Sequence, residues 1–367
     1  MSEAESATPT TKTPEDHSIA IPKSGGFFER FGLLLLLVLL GCYLFFFASH
    51  EGLGNFSAPG FLDRISTPEQ FRDITGWQNP ARAASVLIVA SLAFLIPLIG
   101  GHFNLAVGAQ VAASGMICAS AFSGKYWFEG RAVPLFGAIL LGLLASLLIG
   151  AVSGLLVSRI KVNSLITTLG IAIVVQGWYD WYGQGIQISV ESETFKNLFS
   201  SAVPGIQMPP AFLIALGVAF VVWFDSELLP YGRRLAAIGS NPNSAGLVGI
   251  RVERTTFISF LISSLLAGIA GIMQLASLGN ASASTFPGGG VPFILPAIAA
   301  VFLGATTWKA GRFNVPGVVI AILLVKLSTQ ALVFAGIDSW IETVVNGTSL
   351  VVAVTVSTML ARKRTGI

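Results

Sequence analysis

Long apolar runs, broken by short polar stretches, dominate the chain from residue 31 to residue 361. The first, FGLLLLLVLLGCYLFFFAS at 31–49, is apolar at almost every position. A helix needs about 20 mostly apolar residues to cross a bilayer. That criterion predicts ten spans, at 31–49, 83–101, 105–122, 134–158, 164–182, 208–224, 255–277, 293–308, 314–334 and 342–361. The second and third abut across Gly101–Asn104, and 293–308 is short for a span. The pattern predicts an all-α, polytopic membrane protein.

The breaks carry the charge, and its sign alternates in density. With the N-terminus placed in the cytoplasm, fourteen of the 21 Lys and Arg residues fall in inner segments and six in outer ones; Lys326 alone falls within a span. This is the bias of the positive-inside rule and predicts that both termini face the cytoplasm. The outer connections then include 50–82, which carries Pro59, Asp63, Pro68, Glu69 and Trp77. It reads as an interfacial amphipathic cap or as a surface that docks a partner. Residues 1–26, rich in Ser, Thr, Pro and Glu, lack apolar surface to offset ordering entropy and read as a disordered cytoplasmic tail. A membrane-spanning domain at 27–361 follows, then a short basic tail at 362–367.

Composition agrees with the pattern. Hydrophobic residues make up 53% of the chain and charged residues 11%, against roughly 25% in a soluble domain. The polar shell of a water-soluble core is missing, so lipid is the solvent for most of the chain. A net charge of +3 with scattered basic residues gives no nucleic-acid footprint. Cys42 and Cys118 lie inside apolar runs and report nothing about redox compartment. Forty glycines point to close helix packing. Gly142, Ser146, Gly150 and Gly154 recur every four residues, as do Ser263, Ala267 and Gly271; such stripes let helix backbones approach.

One connection, 225–254, differs from the rest. It contains YGRRLAAIGSNPNSAGLVGI (231–250) and four arginines, Arg233, Arg234, Arg251 and Arg254. Asn241-Pro242 reads as a helix start, an Asn cap followed by Pro at the first helical position. Ser244–Val248 would then form less than two turns before Gly249 stops it. So short a helix is marginal in water and needs a surface to hold it.

These residues resemble the cytoplasmic loop of ribose/xylose/arabinose-type ABC importer permeases. The likeness runs through Gly232-Arg233-Arg234-Leu235-Ala236-Ala237-Ile238-Gly239-Ser240-Asn241-Pro242, with Ala245 and Gly249-Ile250. Three further elements resemble the same family: Asn104-Leu105-Ala106-Val107-Gly108, Ser164-Leu165-Ile166-Thr167-Thr168-Leu169-Gly170, and Ala297-Ile298-Ala299-Ala300 with Leu303-Gly304. The resemblance implies a type II ABC importer-like permease bundle whose loop carries a coupling helix, seated in a cleft of an ATP-hydrolysing subunit. It assigns Arg233, Arg234, Asn241, Pro242, Asn243, Ser244, Ala245 and Gly249 to coupling. It makes Asn104, Ser164 and Thr168 pathway candidates. Its partners would be two ATPase subunits, an extracytoplasmic solute-binding protein and a second permease subunit, identical or paralogous. Departures from the family remove several charges and change other residues: Asn104 stands where the family usually has Asp, Ala106 where it has Ser, Gly246 and Gln176 where Arg is common, and Asn163 where Pro is common. Ile294-Leu295-Pro296 replaces a Glu-Leu-Asp found in many sugar permeases. These changes leave the transport role and put the cargo in doubt.

The richest polar cluster at membrane depth is Gln176-Gly177-Trp178-Tyr179-Asp180-Trp181-Tyr182. Its aromatics fit an interfacial belt, or could stack on a sugar ring while Asp180 accepts hydroxyl hydrogen bonds; Gln176, Trp178 and Asp180 join the pathway candidates. No lysine sits in the G-x-x-x-x-G-K-S/T frame of a P-loop, and His17, His50 and His102 are isolated from metal ligands or nucleophiles. The chain is therefore expected to be a permease without enzyme activity, cofactor or metal, translocating a monosaccharide or polyol. Branched-chain amino acids and nucleosides are the alternative cargoes. A self-contained secondary transporter would want coupling-ion carboxylates near the midplane, and the acids here lie at span ends or in loops. GHFNLAVG (101–108) and GRFNVPG (311–317) are alike and both fall at predicted inner turns, too short to define a repeat.

Overall fold

In the computed structural model, residues 75–184, 187–190, 208–282, 291–306 and 312–334 are described, with Phe195, Phe199 and Gly347 besides. The predicted tail 1–26, the spans 31–49 and 342–361, most of loop 50–82 and the end 362–367 lie outside the described residues. The other eight predicted spans fall on helices. These are α1 (Thr75–Ile99), α2 (Val107–Ser123), α3 (Leu135–Ser158), α4 (Ser164–Gly183), α5 (Pro210–Glu227), α8 (Val252–Leu278), α9 (Val291–Gly304) and α10 (Val315–Phe334). Between α5 and α8 lie two shorter helices, α6 (Pro230–Ser240) and α7 (Pro242–Leu247).

Five of these, α1, α2, α3, α5 and α8, are long and apolar enough to cross a membrane by length and composition; α9 and α10 are shorter apolar helices. Helix α4 has 20 residues, but Gln176 and Asp180 make its far end polar. Two features differ from the expectation. Helix α1 starts at Thr75, inside the predicted outer loop. The all-α prediction also misses a two-residue antiparallel pairing, β1 (Ile188–Ser189) on β2 (Asn280–Ala281), where two connections cross and satisfy each other's backbone groups.

The bundle is built around α8, which packs on α3, α1 and α2. Helix α2 is buried from Val107 to Ala121. Helix α3 shows how membrane packing reverses the soluble pattern. Its buried face is Ala138, Gly142, Ser146, Gly150, Ser153, Gly154 and Val157, while Phe136, Leu140, Leu144, Leu148 and Val152 face outward. Small residues line the joint and large apolar ones meet lipid, because lipid gives helices no hydrophobic reason to associate and close van der Waals contact must hold them. The Gly142–Gly154 stripe lies in this joint, and the Ser263, Ala267 and Gly271 stripe turns the other way, toward α1 and α2. A Cβ on Gly150 would strike Ser264, one on Gly271 the Val111 carbonyl, and Ser146 Oγ donates to the Ser264 carbonyl at 2.6 Å.

The helix ends sort into two groups. At one end the α1–α2 turn meets the start of α4 and the side of α6. At the other, the α2–α3 turn meets the end of α4, and α4 meets the β1–β2 crossing. Asn104 and Asn314, the asparagines of the two GxFN turns, are both buried and both hold the turn ahead of a helix. Asn104 Oδ1 accepts the Ala106 amide (3.2 Å) and Asn314 Oδ1 the Gly317 amide (2.8 Å).

Candidate functional site

The segment 230–250 folds as a bracket on the bundle end. Pro230 at the first helical position starts α6, and Gly232, Leu235 and Ile238 make its buried edge. This helix was absent from the sequence reading. Tyr231, Leu235 and Ile238 recur at helical spacing and were the available signal, obscured by Gly232 and Gly239, which read as breakers. Both glycines are contact points instead: a side chain at Gly232 would strike the Ser226 backbone, and one at Gly239 the Ile99 carbonyl. Tyr231 Oη donates to the Thr255 carbonyl at 3.4 Å, tying α6 to the start of α8. Burial, with the Asp225 charge adding, pushes the Tyr231 phenol up from its ordinary value, so it stays a neutral donor.

Helix α7 starts and stops as its residues dictate. Asn241 Oδ1 accepts the amides of Asn243 (3.0 Å) and Ser244 (3.1 Å), and Pro242 takes the first position. At the far end Gly249 adopts φ +85°, its amide donates to Gly246 (3.0 Å), and the Ile250 amide donates to Ala245 (3.1 Å). That pair of bonds is the Schellman arrest, which needs a residue tolerant of left-handed backbone. Ala245 is α7's buried contact. Arg233, Arg234, Asn241, Pro242, Asn243, Ser244 and Gly249 are all exposed, as are Arg251 and Arg254. Sequence reading missed two neighbours: Leu247 is 89% exposed and Val248 76%. An exposed apolar pair thus ends this six-residue helix, with Arg251 and Arg254 following in the chain.

The pathway candidates divide into two groups along α4. Asn104, Ser164 and Thr168 come together at its start. The Phe103 amide donates to Ser164 Oγ (3.1 Å), the Leu105 amide to Thr168 Oγ1 (3.0 Å), and Asn104 Nδ2 to Ser263 Oγ on α8 (2.8 Å). Asn104 and Thr168 are fully buried and commit these groups to packing. About 15 Å beyond Thr168 along the helix, Trp178 is half-buried against Trp127 and Tyr182, with ring centroids 6.0 and 5.1 Å away. Tyr182 Oη donates to Ser120 and Tyr179 Oη to the Ser282 carbonyl at 2.6 Å, so these rings anchor connections. Gln176 is half-exposed, and Asp180 is exposed beside Trp181. Between the two groups runs a bare face of Ile166, Gly170, Ile173, Val174 and Gly177, with open space at both glycines.

Among the described residues no group of His, Cys, Asp or Glu is arranged to hold a metal ion. His102 lies in the α1–α2 turn near Phe260, and burial lowers its imidazole below the ordinary value.

Comparison with known proteins locates this architecture. Residues 78–354 match the family described as "Branched-chain amino acid transport system / permease component". The chain is 29% identical to the D-allose transport system permease protein AlsC of Escherichia coli, over 81% of this chain and 87% of that protein. It is 30% identical to the ribose import permease protein RbsC of Haemophilus influenzae, over 78% and 86%. It is 24% identical to the galactose/methyl galactoside import permease protein MglC of the same organism, over 82% and 91%. A solved metal-chelate type ABC transporter in an inward-facing conformation aligns over 91% of this chain and 98% of its own, with TM-score 0.47 and 15% identity. The chain belongs to the branched-chain amino acid transport system permease component family: it is a multi-pass inner-membrane permease of an ABC importer and not an enzyme.

Proposed function

We propose that this permease translocates a monosaccharide or related polyol handed over by an extracytoplasmic binding protein, driven by separate ATPase subunits, and that it works as a pair of permease subunits. The chain would cross the membrane ten times with both termini in the cytoplasm. The observation that carries the reading is α7, a capped and arrested rod presenting Leu247 and Val248 beyond the bundle. Among the described residues that tip is left exposed, whereas an ATPase groove would bury it.

The cargo class rests on two supports. Relatives with names for D-allose, ribose and galactose share most of their length with this chain. The bare face of α4 is apolar and carries one charge, Asp180, at its end. A neutral, hydroxylated ring can pass such a wall; a zwitterionic amino acid would leave its ammonium and carboxylate less well matched. Asn104, Ser164 and Thr168 hold that wall in place, and Gln176, Trp178 and Asp180 line its outer mouth.

Two measurements test this. A thermal-shift screen of the genomically neighbouring binding protein against ribose, allose, galactose, polyols, leucine and adenosine should give its shift with a sugar or polyol; a shift with leucine alone would move the cargo to the amino acid class. Replacing 242–248 by a Gly-Ser linker should leave membrane insertion intact and abolish stimulated ATP hydrolysis. Normal transport by that variant would remove the coupling assignment.

A further inference from the structure

Resting on that coupling assignment, the geometry points to the α1–α2 turn, Gly100–Leu105, as the relay that carries motion of the α6–α7 bracket to helix α4. Three sets of contacts converge on these six residues. From the bracket, Gly239 lies against Gly101 and against the Ile99 carbonyl just ahead of the turn, where no Cβ fits, and a Cβ on Gly100 would meet the Leu235 side chain at 2.7 Å. From α4, Ser164 and Thr168 accept the amides of Phe103 and Leu105, and Thr168 Oγ1 bonds back to the Ser164 carbonyl at 2.7 Å. From α8, Ser263 accepts Asn104 Nδ2 and donates to the Ala93 carbonyl at 2.6 Å.

The three joints differ in kind. The α8 joint sits inside the tightest packing of the bundle, between α1, α2 and α3. The bracket joint is a close backbone contact of Gly239 with Ile99 and Gly101, backed by the Leu235 side chain on Gly100, and close packing of this kind transmits displacement. The α4 joint consists of amide N–H groups donating to hydroxyls at the start of a helix whose opposite face, with Ile166 at 67%, Ile173 at 60% and Val174 at 72% exposure, is uncovered. Helix α4 is thus held at the relay and unconstrained along one side. Displacement of the turn has an outlet in α4 and none in α8. Ser164 and Thr168 are positioning residues of transport: they join the wall of the pathway to the motor's contact.

The test uses the full assembly of this chain with its co-purified ATPase, carrying Cys42→Ala and Cys118→Ala and an environment-sensitive fluorophore at Val174→Cys. The probe is Mg-ATP with vanadate, so no cargo is required. In the parent, trapping should shift the emission. Thr168→Val keeps the side-chain shape but removes the acceptor for Leu105; it should shrink the shift by at least about fivefold, the low end of ordinary site-to-site coupling, while ATP hydrolysis stays within about twofold of the parent. Thr168→Ser should restore the shift. Gly239→Ala should also reduce it. A merely structural role would lower the thermal midpoint of Thr168→Val and leave the amplitude in the folded fraction unchanged; that result overturns the relay. So does a label at Leu247→Cys that responds to ATP beside a silent one at Val174→Cys. Failure of any ATPase to co-purify removes the coupling assignment and the relay with it.

Discussion

Asn241 fixes where α7 starts, and its contribution can be isolated because the side chain is exposed and, among the described residues, bonds to its own helix. Losing an Asn cap costs about 1 kcal/mol, a large share of the stability of a six-residue helix. Asn241→Ala should raise hydrogen exchange at the Asn243 and Ser244 amides roughly fivefold, equivalent to that energy, with the thermal midpoint of the whole chain unchanged; Asn241→Asp should retain the parent's rates. Cap, proline and Gly249 were all legible in the sequence, since each acts on residues within four positions of itself. The contact of Gly239 with Ile99 was not, because nothing local ties residues so distant in the chain. His102 gives a second residue-scale outcome. Its folded-state pKa lies below the unfolded value near 6.5, so the unfolded chain binds more protons as pH falls through that value, and the stability due to the neutral imidazole is present above it and lost below. The parent's thermal midpoint should drop more than that of His102→Gln between about pH 7.5 and pH 5.5.

At the scale of elements, two glycines separate packing from function. Gly150 on α3 faces Ser264 with no room for a Cβ, whereas Gly170 on α4 has nothing within 4 Å. Gly150→Leu should destabilise the chain by about 1–3 kcal/mol through overpacking, seen as a lower thermal midpoint. Gly170→Leu should be neutral or slightly stabilising, since it replaces a poor helix former with a good one. If Gly170→Leu lowers transport without lowering stability, the bare face of α4 is functional surface. The helices themselves were legible because an apolar run of span length has few other solutions in lipid. Helix α6 escaped because it lies across the bundle end as an amphipathic rod, and its Gly232 and Gly239 serve close contact where sequence reading expects breaks. The aromatic cluster of α4 was legible in place and ambiguous in role, which only the bonds of Tyr179 and Tyr182 to distant connections resolve toward anchoring.

At the scale of the whole molecule, sidedness is the property on which the transport direction depends, and charge and packing bear on it independently. Fourteen basic residues fall in segments proposed as inner and six in those proposed as outer. The described contacts group the helix ends the same way: Gly101 and Ser164 gather with Gly239, and Tyr126 gathers with Gly183. Helix α3, with 24 residues, spans about 36 Å, enough to carry the chain across a hydrocarbon core of about 30 Å. Glu129, in the α2–α3 turn, and Leu247, at the tip of α7, should therefore lie on opposite sides. In a background of Cys42→Ala and Cys118→Ala, a membrane-impermeant maleimide added to intact spheroplasts should label Glu129→Cys and leave Leu247→Cys untouched until the membrane is permeabilised. Labelling of Leu247→Cys from outside would place the α7 tip where no ATP-hydrolysing subunit could reach it, and would remove the coupling role whatever the quality of the cap. Labelling of both positions before permeabilisation would show that the barrier was leaky, which a cytosolic cysteine protein measured in the same spheroplasts would detect.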